Sequence, residues 1–145
     1  MPKQLLRRLA SSRDGSVILE TALMITILLV LMFGIVDLGR ALFTSNNLVS
    51  AAREGARFGA SDVSLFSTTP PDTLSVKDTV INHFSPFGGP ALTRTNIATT
   101  FVGSPESSIR VTIKYRFTWI TPIRSLVGAM RDTLHSQAEF RLENR

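Results

Sequence analysis

Residues 17–36 read VILETALMITILLVLMFGIV and contain a single charged residue, Glu20. Twenty residues of α-helix rise about 30 Å, which matches the hydrocarbon thickness of a lipid bilayer. A helix buried in a small globular domain is normally apolar along one side, whereas this stretch is apolar on every side. It therefore predicts a membrane-spanning helix, which we place at residues 16–36, in contact with the lipid bilayer.

The residues that flank this segment predict its orientation. Four Lys or Arg residues lie within residues 1–15, whereas Arg40 is the only one among the fifteen residues after Val36. Because basic flanks stay in the cytoplasm, we expect residues 1–15 to be a cytoplasmic leader and the chain after Val36 to lie on the other side. A cleaved secretory signal is a competing interpretation. Its apolar stretch is usually about 7–15 residues long and precedes an Ala-x-Ala-like site. The sequence has neither feature, which favours an uncut anchor over a signal peptide.

The composition excludes several classes of function. The chain of 145 residues has no cysteine, so it has neither disulfides nor thiolate metal sites nor cysteine nucleophiles. Most of its net charge of +5 lies in residues 1–15, and no basic face with interleaved aromatic residues follows. His83 and His135 are far apart, and motifs for phosphate binding, zinc proteases or a nucleophilic serine are absent. We therefore predict no enzyme, and no catalytic, metal or cofactor site. We also expect no nucleic-acid partner and no small-molecule substrate.

The helical pattern continues past the membrane segment through residues 37–60. A stripe with spacings of four and three runs without proline through Leu38, Leu42, Ser45, Val49, Ala52, Ala56 and Gly59. Toward its end small residues form adjacent rows, and a glycine inside a helix costs about 1 kcal/mol relative to alanine. Such rows let another backbone approach closely. We predict that Ala52, Gly55, Ala56 and Gly59 form a docking face for a sheet or a neighbouring helix.

Residues 61–145 are predicted to form a small α+β domain. After a linker, Ser61–Thr73, a short helix is expected whose apolar side consists of Leu74, Val80, Ile81 and Phe84. Apolar and polar residues then alternate over residues 109–119 and 134–142, which is typical of half-buried strands, and a weaker strand precedes them at residues 97–102. Three antiparallel strands with one apolar face need a cover. The predicted fold is a long spine helix, half in the membrane, packed on a small antiparallel sheet.

The junction between the leader and the membrane segment holds the residues that indicate a function. A carboxylate in an apolar span is costly, and two interpretations of Glu20 stay open. It is either a tolerated residue near the cytoplasmic edge or the partner of an amine. Cleavage after Gly15 would give Ser16 a new α-amino group, with Glu20 one helical turn along at about 6 Å of rise. Glycine favours neither helix nor strand, so an unwound, accessible bond is expected there.

This arrangement resembles the prepilin cleavage pattern, and the wider stretch is similar to the TadE family of tight-adherence (Flp-type) pilus assembly proteins. The resemblance covers roughly residues 13–60. The motifs that carry it are Gly15 with Glu20, the apolar span, GIVDLGR at residues 34–40, and AAREGAR at residues 51–57, which is the most specific.

The resemblance implies a minor pseudopilin that is cut between Gly15 and Ser16 by a prepilin peptidase. It also implies residence in the bacterial inner membrane with a periplasmic C-terminal domain, beside other pilus assembly proteins and pseudopilins. Thr21 stands where the family often has an aromatic residue, so an uncleaved membrane-anchored scaffold outside the fibre is an alternative. A major pilin is a further alternative, but the domain beyond the spine helix argues for a minor subunit.

Overall fold

The structure is a computed structural model that describes residues 13–62, 72–102, 108–121 and 132–142, with the side chains of residues 13 and 14 left out. Helix α1 (Arg13–Ser61) is followed by helix α2 (Leu74–His83), a 3-10 turn (Arg94–Asn96) and three strands. The strands are β1 (Ile97–Val102), β2 (Ser108–Arg116) and β3 (Thr133–Arg141). The predicted fold, a long helix packed on a small antiparallel sheet, is confirmed.

The sheet is an antiparallel meander in the order β1-β2-β3. Its central strand presents alternate residues to the core, and these side chains are fully or almost fully buried: Ile109, Val111, Ile113 and Tyr115. This matches the predicted alternation. The strand ends at Arg116, opposite Thr133, and not at Trp119 as predicted. Beyond Arg116, the Phe117 amide still donates to the Asp132 carbonyl, whereas the Thr118 carbonyl and the Thr121 amide bond to Arg40 and Asp37 of α1.

The outer part of α1 lies across β2 and β3, and α2 packs beside it. The resulting core is built from a few residues of each element: Leu48, Ala51, Ala52 and Ala56 of α1, Val76 and Val80 of α2, and the inward residues of β2. The half of α1 that precedes Asp37 is not covered by any described part of the chain, and its 18-residue apolar window is 0% buried. Within the described residues, this half of α1 is therefore not a core helix.

The face of α1 that packs on the domain differs from the predicted stripe at its inner end. Leu38 and Leu42 are exposed, whereas Asp37, Arg40 and Thr44 are buried. The predicted stripe, which was based on hydrophobicity, placed Leu38 and Leu42 on the packed face. The polar residues take their place because they satisfy one another and the loops beside them, which removes most of the cost of burying polar groups. From Leu48 outward the buried face is apolar.

Helix α2 begins after Asp72, whose carboxylate accepts a hydrogen bond of 2.9 Å from the Leu74 amide. Of the predicted apolar side, Val80 and Phe84 are buried and Ile81 packs against the core, whereas Leu74 is exposed. Val76 is buried in addition. Most of the predicted linker and residues 1–12 of the leader lie outside the described residues.

Candidate functional site

The apolar half of α1 is the first candidate for function. Gly15–Ser61 is one helix that is long and apolar enough to cross a membrane, and nearly all side chains from Ser16 to Val36 are exposed. Apolar side chains exposed over this length are unfavourable in water, whereas the acyl chains of a bilayer would cover them. Such a helix suggests membrane anchoring.

The predicted cleavage junction lies at the start of this helix. The described helix α1 spans Arg13–Ser61, so the bond between Gly15 and Ser16 is helical. The expectation of an unwound bond is therefore wrong for this chain. A peptidase that needs an extended substrate would have to unwind the helix at this bond.

Glu20 lies one turn farther along, on an exposed face of the helix. It borders a shallow groove with Ser16, Leu19 and Leu23, and the groove floor is the helix itself. The structure thus places Ser16 and Glu20 on the same side, as spacing of four residues requires. No described residue of the outer domain approaches Glu20.

The small-residue docking face lies where α1 packs against α2 and β2. Ala52, Gly55, Ala56 and Gly59 are all buried. A Cβ atom built on Gly55 would lie 2.2 Å from Cγ2 of Val80, and one built on Gly59 would lie 2.5 Å from Cδ1 of Ile109. Glycine at these positions therefore lets α1 approach α2 and β2 to a distance that no side chain permits.

The charged residues between these small ones face solvent. Arg57 donates two hydrogen bonds to Glu54, with the shorter nitrogen–oxygen distance 2.5 Å. The hydrogen bonds from Arg57 lower the pKa of Glu54 and, reciprocally, raise the pKa of Arg57. The motif AAREGAR is thus a docking face of alanine and glycine whose solvent side is a local ion pair.

Asp37 and Arg40 form a buried ion pair that the sequence analysis did not assign to the packed face. The Arg40 guanidinium donates to Oδ1 of Asp37 at 2.9 Å, with side-chain exposures of 6% and 2%. Its second terminal nitrogen donates to the carbonyl of Gly88 at 3.1 Å. Its carbon Cζ lies 5.3 Å from the centre of the Phe117 ring, within cation–π distance.

Asp37 joins α1 to the segment that follows β2. Its Oδ2 accepts hydrogen bonds from the Thr121 amide at 3.0 Å and the Thr121 hydroxyl at 2.5 Å, while Oδ1 lies 3.4 Å from the Ile120 amide. Burial raises the pKa of Asp37, but the hydrogen bonds from Thr121, Ile120 and Arg40 together outweigh it and hold the pKa below its usual range. The carboxylate is therefore charged at neutral pH.

The signal for this pair was present in the sequence. An acid and a base of opposite charge stand three residues apart, directly after twenty nearly uncharged residues. At that spacing they lie on one face of a helix and pair. From the sequence alone Arg40 is only a flanking charge, because no periodic pattern reveals which loops will accept its remaining hydrogen bonds.

The two histidines occupy separate places. His83 ends α2 and its Nε2 lies 3.3 Å from the hydroxyl of Ser50, while His135 is exposed on β3. Among the described residues, no three His, Asp or Glu side chains are grouped so that they would hold a metal ion. The grooves that adjoin the outer domain are shallow, and one of them is lined by Arg116, Trp119 and Asp132.

Comparison with known proteins identifies a family over the inner part of the chain. The family model described as TadE-like protein matches residues 15–57, which is under a third of the 145 residues. The match covers Gly15, Glu20, the buried ion pair and most of the docking face. The resemblance predicted from the sequence is thereby confirmed over these residues. No curated protein and no solved structure matches the chain.

Proposed function

We propose that this chain, which is TadE-like over residues 15–57, is a minor pseudopilin-like component of a tight-adherence pilus assembly system. The observation that carries the proposal is one uninterrupted helix, Arg13–Ser61. Its inner half is apolar and uncovered, and its outer half is buried in a small domain through closely packed glycines. Pilin-like subunits need this division, because the inner half is free for lipid or neighbouring helices while the outer half carries a folded domain.

In this proposal the basic residues before the helix stay in the cytoplasm and the domain lies in the periplasm of a bacterium with two membranes. The charge distribution supports that orientation. Arg40, the one basic residue that flanks the span on its outer side, is buried and paired with Asp37. Its charge is neutralised locally, which leaves Lys3, Arg7, Arg8 and Arg13 as the dominant basic flank.

The proposed processing step is hydrolysis of the peptide bond between Gly15 and Ser16 by a prepilin peptidase. The step releases the leader with a new carboxylate on Gly15 and leaves an α-amine on Ser16. That amine lies about 6 Å along the helix axis from Glu20. The carboxylate of Glu20 then has a cationic partner, either in its own chain or in a neighbouring pseudopilin, which offsets the cost of keeping a charge near the membrane.

The first test of the proposed function is the intact mass of the purified protein, produced with and without its cognate prepilin peptidase. We expect loss of residues 1–15 only when the peptidase is present. Gly15→Leu, which blocks access to the bond without changing the apolar span, should keep its full mass in both cases. An unchanged mass beside a peptidase that does cut the major pilin would contradict processing.

The role of Glu20 predicts a difference between insertion and assembly. Glu20→Ala removes a carboxylate from the span, so membrane insertion should be unchanged or improved, whereas recovery in pilus fractions should fall several-fold because the amine loses its partner. Glu20→Gln keeps the size and polarity and should behave like alanine. Thr26→Ala, on the same exposed part of the helix, is the matched control. Equal losses of insertion and recovery would indicate a topological role instead.

A second candidate is an uncleaved scaffold that anchors the envelope machinery and does not enter a fibre. It is favoured by the helical state of the Gly15–Ser16 bond and by Thr21 after the glutamate. In either case we propose that the chain acts by binding other pilus assembly proteins and not by catalysis. Detection of the chain in sheared pili would support the subunit, whereas recovery in membranes alone would support the scaffold.

A further inference from the structure

The exposed apolar surface of α1 extends past the predicted end of the membrane segment. Leu38, Leu42 and Phe43 are all at least half exposed. The two charged residues in this stretch, Asp37 and Arg40, are buried against the outer domain, so the first exposed charge on α1 after Glu20 is Arg53. From Val17 to Phe43 the helix rises roughly 39 Å. That length exceeds the hydrocarbon layer and approaches the full bilayer of about 40–45 Å with its headgroup regions.

The outer domain adds exposed apolar residues at the same height. Phe87 and Ile120 are 59% and 70% exposed. Both are held beside the start of the outer helix: the Gly88 carbonyl next to Phe87 accepts from Arg40, and the Thr121 amide next to Ile120 donates to Asp37. The rings of Phe87 and Phe43 also stack edge to face, with 5.6 Å between their centres. We call the set Leu38, Leu42, Phe43, Phe87 and Ile120 the apolar collar.

The collar residues are spread over α1 and two neighbouring loops and do not form one face. At 100° per residue, Leu38 and Phe43 point in directions about 140° apart around the helix axis. Phe87 and Ile120 project from two different loops of the domain. One protein partner docked on one side would cover part of such a ring, whereas a bilayer surface meets every side of a helix that crosses it. The annular arrangement therefore favours lipid over a single protein partner.

We infer that the apolar collar lies in the outer interfacial layer of the membrane, so that the base of the domain is seated in the bilayer and not held above it on a bare helix. The buried ion pair makes this possible. Asp37 and Arg40 satisfy each other and the loop groups of residues 87–88 and 118–121, which hides two charges that would otherwise have to be hydrated at this depth. Aromatic rings such as those of Phe43 and Phe87 then contact the acyl-chain boundary.

The absence of cysteine from the chain makes the test direct, because each single-cysteine variant carries one label. Phe87→Cys and Ile120→Cys are labelled with a nitroxide in the full-length protein, reconstituted at low density into vesicles of phosphatidylcholine and phosphatidylglycerol. Collision with molecular oxygen, which concentrates in lipid, is compared with collision with a water-soluble nickel chelate. Thr100→Cys, on the exposed face of β1, is the matched aqueous control, and Leu31→Cys is the lipid control.

If the collar lies in the bilayer, nitroxides at residues 87 and 120 should collide more often with oxygen than with the nickel chelate. Their membrane depths should lie between those of the labels at residues 31 and 100. Nickel collisions that dominate at both collar positions, as at residue 100, would overturn the inference. Protection from nickel that appears only at high protein density, and is lost on dilution with lipid, would also overturn it by indicating a second copy of the chain. The test rests on membrane anchoring and not on pilus assembly, so it is independent of the mass measurement.

Discussion

Gly55→Leu should separate α1 from α2 and lower the free energy of unfolding of the outer domain by about 1–3 kcal/mol or more. A Cβ at this position would meet Cγ2 of Val80 at 2.2 Å and the backbone oxygen of Val76 at 3.5 Å. Valine has little freedom to rotate away, because its branched Cβ leaves one preferred rotamer in a helix. The strain must therefore be relieved by moving the backbone of α2. Thermal unfolding of the detergent-solubilised protein measures the loss.

The chain offers a matched control for this substitution in the same helix. A Cβ at Gly39 would meet nothing within 4 Å. Gly39→Leu should therefore leave the outer domain intact and gain part of the helix propensity that glycine lacks. Combining Gly55→Ala with Val80→Ala removes the clashing methyl group and should recover part of the stability that Gly55→Ala alone loses. Wild-type stability and pilus formation in Gly55→Leu would contradict the docking face.

Asp37→Ala should be the most destabilising substitution at a charged residue of α1, with a loss of about 3–5 kcal/mol, because it leaves the Arg40 guanidinium buried without its counter-charge. It also leaves the amide and hydroxyl of Thr121 without their acceptor. Trp119 is the single tryptophan of the chain and lies next to this site, with its ring packed on Phe117. Its fluorescence during denaturant unfolding reports the change.

The double substitution Asp37→Leu with Arg40→Met separates the cost of a buried unpaired charge from the loss of packing. Replacing a buried ion pair by apolar residues of similar volume is often nearly neutral, so the double variant should be more stable than Asp37→Ala. If the two are equally unstable, the hydrogen bonds to the loops and not the unpaired charge determine the loss.

The same pair gives the outer domain an acid sensitivity with a definite sign. The folded pKa of Asp37 lies below the ordinary value of 3.8. Its charged form therefore stabilises the fold fully at neutral pH, and the contribution is lost as pH falls from that ordinary value through the lowered folded pKa. Asp37→Asn, which has no carboxyl to protonate, should show a flatter dependence of stability on pH in that range.

Four features could be predicted from the sequence: the long apolar helix, its continuation into the outer domain, the strand alternation and the resemblance around AAREGAR. Each of these depends on a period of the chain or on a run of one chemical type. The length of a helix over residues 17–36 equals the thickness of the bilayer's hydrocarbon layer. The alternation at residues 109–115 has the two-residue period of a pleated strand. Gly55 and Gly59 indicated close packing because glycine destabilises a helix interior relative to alanine.

The side of the outer helix that is buried near the apolar segment could not be predicted without the tertiary structure. The pattern favoured Leu38 and Leu42, yet the domain covers Asp37 and Arg40 and leaves the leucines exposed. The partners that make burial of charge tolerable are a loop at residues 87–88 and the segment after β2 at residues 118–121, both distant in sequence. No local period encodes such partners, since their free energy depends on hydrogen bonds that exist only after the chain has folded.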